Sequence, residues 1–422
     1  MTHDPHSIRR HCLAALSALA MAGIVACTET TAPARRYGVL DDVGESDWQT
    51  VAVGSDHTCG LKTNGVAYCW GDNSYGQLGL AVVDTVCGQS KPLLPCVLRP
   101  TAVPTALRFS SISAGQHHTC GVTTSRQAYC WGANEHGQVS AFSPSGATLV
   151  PVSGSLGWTQ ISAGYTHTCA VRTDGALFCW GGNARGELGN GAIANSLGML
   201  RVAMPAAVAS VSAGQERTCA RTTSGMVYCW GAVWVDRENG LELTRQQLVP
   251  QAVPSAPNMS WLSVGSLTTC GTAVSGTAYC WEANSRGEMG VGSEAGSIVP
   301  KAIAADIGFV HISAGIVHSC GVATTGAGYC WGDDTFGQLG VPPSSLSEMC
   351  SGQVFTCSTT PRAVFGRQRF TEISAGMGSH TCGVTTQHNL YCWGLGVSGQ
   401  RGDGTNSYAT SVPTMVAPAR TP

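Results

Sequence analysis

Seven cysteine pairs are the residues of this chain whose types and spacing could do chemistry. They are Cys59 with Cys69, Cys120 with Cys130, Cys169 with Cys179, Cys219 with Cys229, Cys270 with Cys280, Cys320 with Cys330, and Cys382 with Cys392, each ten positions apart. In five units a histidine stands two positions before the first cysteine (His57, His118, His167, His318, His380), and Arg217 and Thr268 take that place in the other two. Thiolates beside imidazoles could bind a metal. A zinc site, however, wants four converging ligands at close spacings such as C-x2-C. Here one unit offers two thiolates separated by a turn. In His167–Gly181, HTCAVRTDGALFCWG, the turn residues Thr173, Asp174 and Gly175 lie between two alternating segments. A hairpin centred there sets residues 169 and 179 opposite each other, with Cα atoms about 4.5 Å apart. That separation suits a cross-strand disulfide. A short bridged loop contributes roughly 2–3 kcal/mol by restricting the unfolded chain. Metal ligation and free buried thiols are the alternatives.

Other chemistry is hard to find. The sequence has no G-x-S-x-G, no H-E-x-x-H, no phosphate-cradling loop with a lysine and no persuasive Ser/His/Asp set. No catalytic residue, metal ligand or cofactor is therefore assigned. The recurrent histidines could form a ring of metal or proton sites. Their periodicity favours a structural role, each bonding backbone within its own unit. The tryptophan after each second cysteine (70, 131, 180, 230, 281, 331, 393) reads as packing between units. The tripeptide Arg401-Gly402-Asp403 falls where the repeat template expects Gly-Gln-x-Gly, so its likeness to an integrin motif reads as chance.

Two further pairs, Cys87 with Cys96 and Cys350 with Cys357, lie inside insertions at 80–100 and 341–362. Both insertions occur at the same phase of their units, which predicts two stapled loops on one rim. The remaining cysteines are Cys12 and Cys27, of twenty in all. Arg9, Arg10 and His11 precede an apolar stretch, 13–25, that is too short to span a bilayer comfortably. It ends Ile24-Val25-Ala26-Cys27, which resembles a bacterial lipobox with Cys27 as the lipidated residue. An ordinary secretory signal is the alternative. The expected organisation is a signal peptide over 1–26, lipidated Cys27 and a flexible tether over 27–47, and one domain over 48–419. Abundant cysteine also favours an oxidising compartment. The expected location is outside the cytoplasm, secreted or held in the cell envelope by the lipid alone.

The elements that carry the cysteines repeat. Successive first cysteines are 61, 49, 50, 51, 50 and 62 residues apart. Each unit opens with a short apolar strand ending in glycine, such as ISAG at 112–115 and VSAG at 211–214. The cysteine hairpin follows, then a loop such as GDNSYGQLG (71–79) or GDDTFGQLG (332–340), then a segment containing Val and Pro. With 54 glycines and only 11% charged residues, the composition is that of an all-β chain. Four short strands per fifty residues, seven times, predict a seven-bladed β-propeller. ISAGQHHTCGV (112–122) and WG-x-N-x-x-GQLG resemble the repeats of the regulator of chromosome condensation family. The resemblance covers roughly 48–417 and implies the same propeller. It also implies a ring closed by strands from both chain ends, here Trp48–Val53 with 411–416. The fourth unit departs most, with AVWVDRENG after Trp230-Gly231, and the fifth has Glu282 where glycine is usual.

A repeated residue explains a scaffold, so non-repeated ones are the candidates for binding. These are Lys91, Leu93 and Leu94 in the first stapled loop, Trp234, Arg237 and Glu238 in the irregular fourth unit, and Phe355 in the second stapled loop. The expected function is a surface-anchored, monomeric scaffold that recognises a protein or glycan partner through rim loops. The alternative is an extracytoplasmic lyase or hydrolase with its site in the propeller funnel. Guanine-nucleotide exchange or chromatin binding, which the family resemblance implies, fits least. The net charge is −2 and basic residues do not cluster, so nucleic acid is not an expected partner.

Overall fold

The computed structural model describes residues 46–420 except 82, 84, 89–92, 142, 154–156, 238–239, 305, 347, 351 and 353. The signal, lipid and tether segments expected over 1–45 lie outside the described residues. Seven antiparallel sheets follow one another along the chain, each with four strands in sequence order from the innermost outward. In the third blade these are Trp158–Ala163, His167–Arg172, Leu177–Gly181 and Ser196–Arg201. The first and sixth blades carry a fifth short strand, Thr85–Cys87 and Met349–Cys350, from the two insertions. The fourth unit does not form an irregular loop. Its third and outer strands lengthen into one hairpin, Val227–Arg237 paired with Gly240–Ala252.

Every blade staples its own hairpin. Second and third strands place the cysteines opposite each other, as in Cys169↔Cys179. In chain order Cys59 is bonded to Cys69, Cys120 to Cys130, Cys169 to Cys179 and Cys219 to Cys229. Cys270 is bonded to Cys280, Cys320 to Cys330 and Cys382 to Cys392. The Cα atoms of these seven disulfides are 4.0–4.1 Å apart, somewhat closer than the spacing expected for opposed strands. None of these fourteen sulfurs is a thiolate, so the metal and free-thiol alternatives do not apply to them. Cys87 with Cys96 and Cys350 with Cys357 are disulfides too, with Cα atoms 5.7 and 5.9 Å apart. The seven repeated bridges are buried in the cores between blades. One such core packs Cys120, Val122 and Cys130 of the second blade against Trp158, Ile161 and Trp180 of the third.

Neighbouring blades touch backbone to backbone at the glycine ending each inner strand. A Cβ on Gly54 would lie 2.6 Å from the carbonyl oxygen of Gly115, and one on Gly164 would lie 2.7 Å from that of Gly214. The series runs from Gly54 through Gly115, Gly164, Gly214, Gly265 and Gly315 to Gly376, whose own Cβ would meet the Gly54 carbonyl at 2.6 Å and so complete the circle. The repeated histidine packs on the same glycine: the Gly54 Cβ would meet the His57 ring at 2.5 Å. Only a residue without a side chain fits there.

The histidines bond the next blade rather than backbone of their own. His57 Nε2 lies 2.9 Å from Thr119 Oγ1, His118 3.0 Å from Thr168, His167 2.8 Å from Thr218, His318 2.8 Å from Thr381 and His380 2.9 Å from Thr58. Each of these hydroxyls donates its single proton to a carbonyl of the histidine's blade, as Thr119 does to Gln77 at 2.8 Å. It must then accept from the imidazole, which fixes Nε2 as the protonated nitrogen. The repeated tryptophan closes the set, with Trp131 Nε1 donating to the same Gln77 carbonyl at 2.9 Å. This tryptophan bond recurs at six of the seven interfaces.

Closure of the ring uses the same set: His380 and the Gln400 carbonyl of the last blade meet Thr58 and Trp70 of the first. The expected pairing of the two terminal strands does not occur. Trp48–Val53 pairs with His57–Lys62, and Ala409–Met415 pairs with Leu390–Leu395. The described ring begins on an inner strand and finishes on an outer one, so each sheet is complete without an exchanged strand. After that outer strand, Val416 and Ala417 bond backbone of the last blade, and Arg420 makes a parallel bridge with Thr101 along the outer edge of the first.

These interfaces set two expectations for stability. Thr119→Val leaves the His57 Nε2–H without its acceptor, and is expected to lower unfolding free energy by about 1–3 kcal/mol in denaturant titration of the oxidised protein. Burial lowers the His118 pKa to about 3. Below the unfolded-state value near ~6.5 the unfolded chain takes up a proton that the folded ring refuses, so stability drains as pH falls. His118→Asn is therefore expected to reduce the stability lost between about pH 6.5 and 4.5 by about 2 kcal/mol, read from denaturant midpoints at both values.

Candidate functional site: central channel and loop face

Each inner strand carries a bulge at the same place. Register shifts occur between its first and third residues in all seven blades, for example Trp158/Gln160 and Phe370/Glu372. A bulge re-aims the side chain that follows it. In four blades the extra residue is satisfied locally: Ser110, Thr159, Ser260 and Thr371 donate their hydroxyls to second-strand carbonyls. The residue after the bulge is Thr50, Ser111, Gln160, Ser210, Trp261, His311 or Glu372. Six of these, all but Thr50, line a central channel of about 290 Å³. The repeated motif next to this position is uniform, whereas this column is not. The signal was present in the sequence, directly before each VAVG or ISAG, but it emerges only when the units are aligned and read column by column.

Several channel residues reach to the next blade. Gln160 Oε1 accepts from the Val211 N–H at 2.9 Å, and the Trp261 indole donates to the Ile312 carbonyl at 2.7 Å. Glu372 accepts from the Thr50 hydroxyl and the Val51 N–H, yet burial raises its pKa to about 7. Burial lowers His311 to about 4, so that ring is neutral, and it lies 4.4 Å from the Trp261 ring. Arg221 replaces the aliphatic residue that five of the other six second strands carry, such as Val122, Val171 and Val322. It stands opposite Ser210 in register and lines the channel.

A ring of serines supports this arrangement. Ser113, Ser162, Ser212, Ser263, Ser313 and Ser374 each accept an inner-strand N–H of the following blade at 2.9–3.3 Å. A larger open cavity of about 440 Å³ lies between residues 174–177 and 201–207, where Asp174 and Arg201 are exposed to solvent.

The stapled loops sit at the end of the blades that also holds the turns between first and second strands, because third-to-fourth connections in an antiparallel blade emerge there. Leu93 and Leu94 are 45% and 42% exposed in the first loop. Met349 and Val354 are exposed in the second. Lys91 and Glu238 lie outside the described residues, and Arg237 is placed only as the last residue of its strand. Trp234 is half-buried, with its indole donating to Glu216 at 3.0 Å and the Arg185 guanidinium 5.8 Å away. Phe355 is not free: the Arg286 guanidinium covers its ring at 3.6 Å and is itself paired with Asp333 at 2.6 Å. Leu93 and Leu94 thus belong to the first blade, whereas Trp234 and Phe355 stand on the fourth and sixth.

Two other features are absorbed by the scaffold. Arg401 is 2% exposed and pairs with Asp403, which takes Arg401-Gly402-Asp403 out of the accessible surface. Glu348, Cys350 and Cys357 approach one another, but the two sulfurs are bonded together and are not thiolates.

Comparison with known proteins bears on this geometry. The repeat model of the regulator of chromosome condensation (RCC1) matches residues 48–77, 109–138, 158–187, 208–232, 309–338 and 370–400, and a second model of the same repeat matches 64–122. Alsin from Homo sapiens is 37% identical over 92 residues, which is 20% of this chain and 5% of Alsin. The chain therefore matches only a small part of that relative. Among solved structures, Prp20p from Saccharomyces cerevisiae, described with its binding to Gsp1p and histones, superposes with a TM-score of 0.70 at 20% identity over 88% of this chain and 87% of its own. The ectodomain of the Arabidopsis thaliana receptor kinase ACR4 superposes with a TM-score of 0.50 at 21% identity over 84% and 97%. With its repeats in phase, four-stranded blades and a closed ring of seven, the chain belongs to the regulator of chromosome condensation repeat family.

Proposed function

We propose that this protein is an exported binding propeller, tethered by a lipid on Cys27, that recognises a protein partner through the face carrying its two stapled loops. The observation that carries this reading is the placement of exposed apolar side chains. Val86, Leu93 and Leu94 project from one disulfide-held loop, and Met349 and Val354 from the other. Exposed aliphatic residues on a loop held by a covalent bridge bind with little ordering cost. Nine disulfides favour an oxidising, extracytoplasmic setting. Among similar folds, Prp20p is described as binding Gsp1p and histones, and the ACR4 domain is an ectodomain. Protein recognition by such a ring is thus an available use of the fold, with the partner set by the loops. The funnel-enzyme reading has less behind it. Among the described lining residues the channel holds one carboxylate, Glu372, and one imidazole, His311, on different blades.

Leu93→Asp combined with Leu94→Asp is expected to reduce recovery of the native envelope partner about tenfold or more in a cross-linking pull-down. Non-reducing mass should still show all nine disulfides, and equal recovery by the intact and doubly substituted rings would overturn the proposed loop surface. Labelled palmitate is expected on the mature chain and to vanish with Cys27→Ala, whereas label that survives this substitution would remove the lipid tether.

A further inference from the structure

We infer that the central channel is a binding site for a small hydroxylated carboxylate, of the size and chemistry of a hexuronic acid. Three observations carry the assignment. The first is Arg221. It is the one arginine or lysine among the described lining residues, its Nε is buried without a hydrogen bond, and it has no acidic partner among the described residues. The other blades fill this position with Leu61, Val122, Val171, Thr272, Val322 and Val384. Ser210, small and directly opposite, leaves the long side chain room to enter the channel. The residue as a whole is only half-buried, so the guanidinium keeps its terminal nitrogens open to the channel, and a carboxylate held bidentately there also gives the buried Nε a partner.

The second is Trp261, 41% exposed although it lines a channel. Its indole N–H is already engaged by the Ile312 carbonyl, and His311 covers it from one side. What remains is a ring surface suited to the apolar face of a sugar ring. The third is the set of hydroxyl-matching groups. The Ser111 hydroxyl and His311 Nδ1 are buried without partners, and Gln160 keeps its amide N–H groups after its oxygen bonds Val211. Glu372 is the one carboxylate in the lining, and its pKa of about 7 limits its repulsion of an anion. At about 290 Å³ the channel is at the low end of ligand sites and takes one ring. This site is independent of the stapled-loop surface.

Calorimetric titration of the mature oxidised protein tests the assignment, with galacturonate and glucuronate as probes. D-galactose, which lacks the carboxylate, and benzoate, which lacks the hydroxyls, are the controls. At least one uronate is expected to bind ~10-fold or more tightly than both controls. Arg221→Val supplies the residue that four other blades carry and so preserves folding. It is expected to remove that preference, and Trp261→Ala to weaken uronate ~10-fold. Absence of uronate binding up to about 10 mM overturns the site. So does equal binding of a control, or unchanged uronate affinity in Arg221→Val.

Discussion

Contact between neighbouring backbones at seven glycines sets the width of this ring, and the other features depend on it. With each glycine pressed on the carbonyl of the next, blades approach more closely than any side chain would allow. That approach puts the histidine of one blade beside the threonine of the next, at 2.8–3.0 Å. It also narrows the channel enough for side chains on one inner strand to bond backbone on the following one, as Gln160 and Trp261 do. The disulfides act within blades and the glycine–histidine–threonine sets between them. Rigidity inside each sheet and fit between sheets therefore have separate chemical origins.

The arrangement changes most at the interface between fourth and fifth blades; at the next interface Thr268 replaces the histidine and bonds the Ala283 carbonyl of its own blade. The fourth unit extends into a long hairpin and does not supply the carbonyl that elsewhere serves threonine and tryptophan. Trp281 Nε1 is consequently buried without a partner. Thr269 turns its hydroxyl to the Glu282 carboxylate at 2.8 Å. Glu282 occupies a position where Gly71, Gly132, Gly181, Gly231, Gly332 and Gly394 have φ of 93–103°, and it adopts φ of 88° itself. A non-glycine residue there carries about 1–2 kcal/mol of strain. The side chain offsets it by pairing with Arg217, the residue in the histidine position, at 2.8 Å. Burial pushes the Glu282 carboxyl up to about 7 while Arg217 opposes the shift. The buried ion pair supplies registry between these blades in place of the neutral histidine bond.

The fold was legible because its signals are local and repeated. Cysteines ten apart around a turn, such as Cys59 and Cys69, specify a hairpin, and a fifty-residue period specifies blades. What joins one blade to the next was less so. The partner of His57 is Thr119, sixty-two positions away; no single unit contains both. The same distance concealed the link between Arg217 and Glu282, which are separate oddities in the sequence and one ion pair in the ring. Loop insertions stood out as interruptions, and Leu93 and Leu94 are exposed. Trp234 and Phe355 looked equally irregular, but neighbouring arginines occupy them. The channel residues escaped notice for a different reason. Seen within one blade, Glu372 or Trp261 is an ordinary strand residue, and only the bulge common to all seven blades turns that column inward.

Closure without an exchanged terminal strand also decides the order in which the molecule can be assembled. Every sheet draws its strands from one contiguous stretch, so each blade can complete its hydrogen bonds before the next has been synthesised. Each repeated cysteine finds its partner ten residues away, across a single turn. Correct oxidation therefore requires no search along the chain. The step of highest contact order is the meeting of the last blade with the first, as at His380 and Thr58 or Gln400 and Trp70, by which an arc of finished blades becomes a ring.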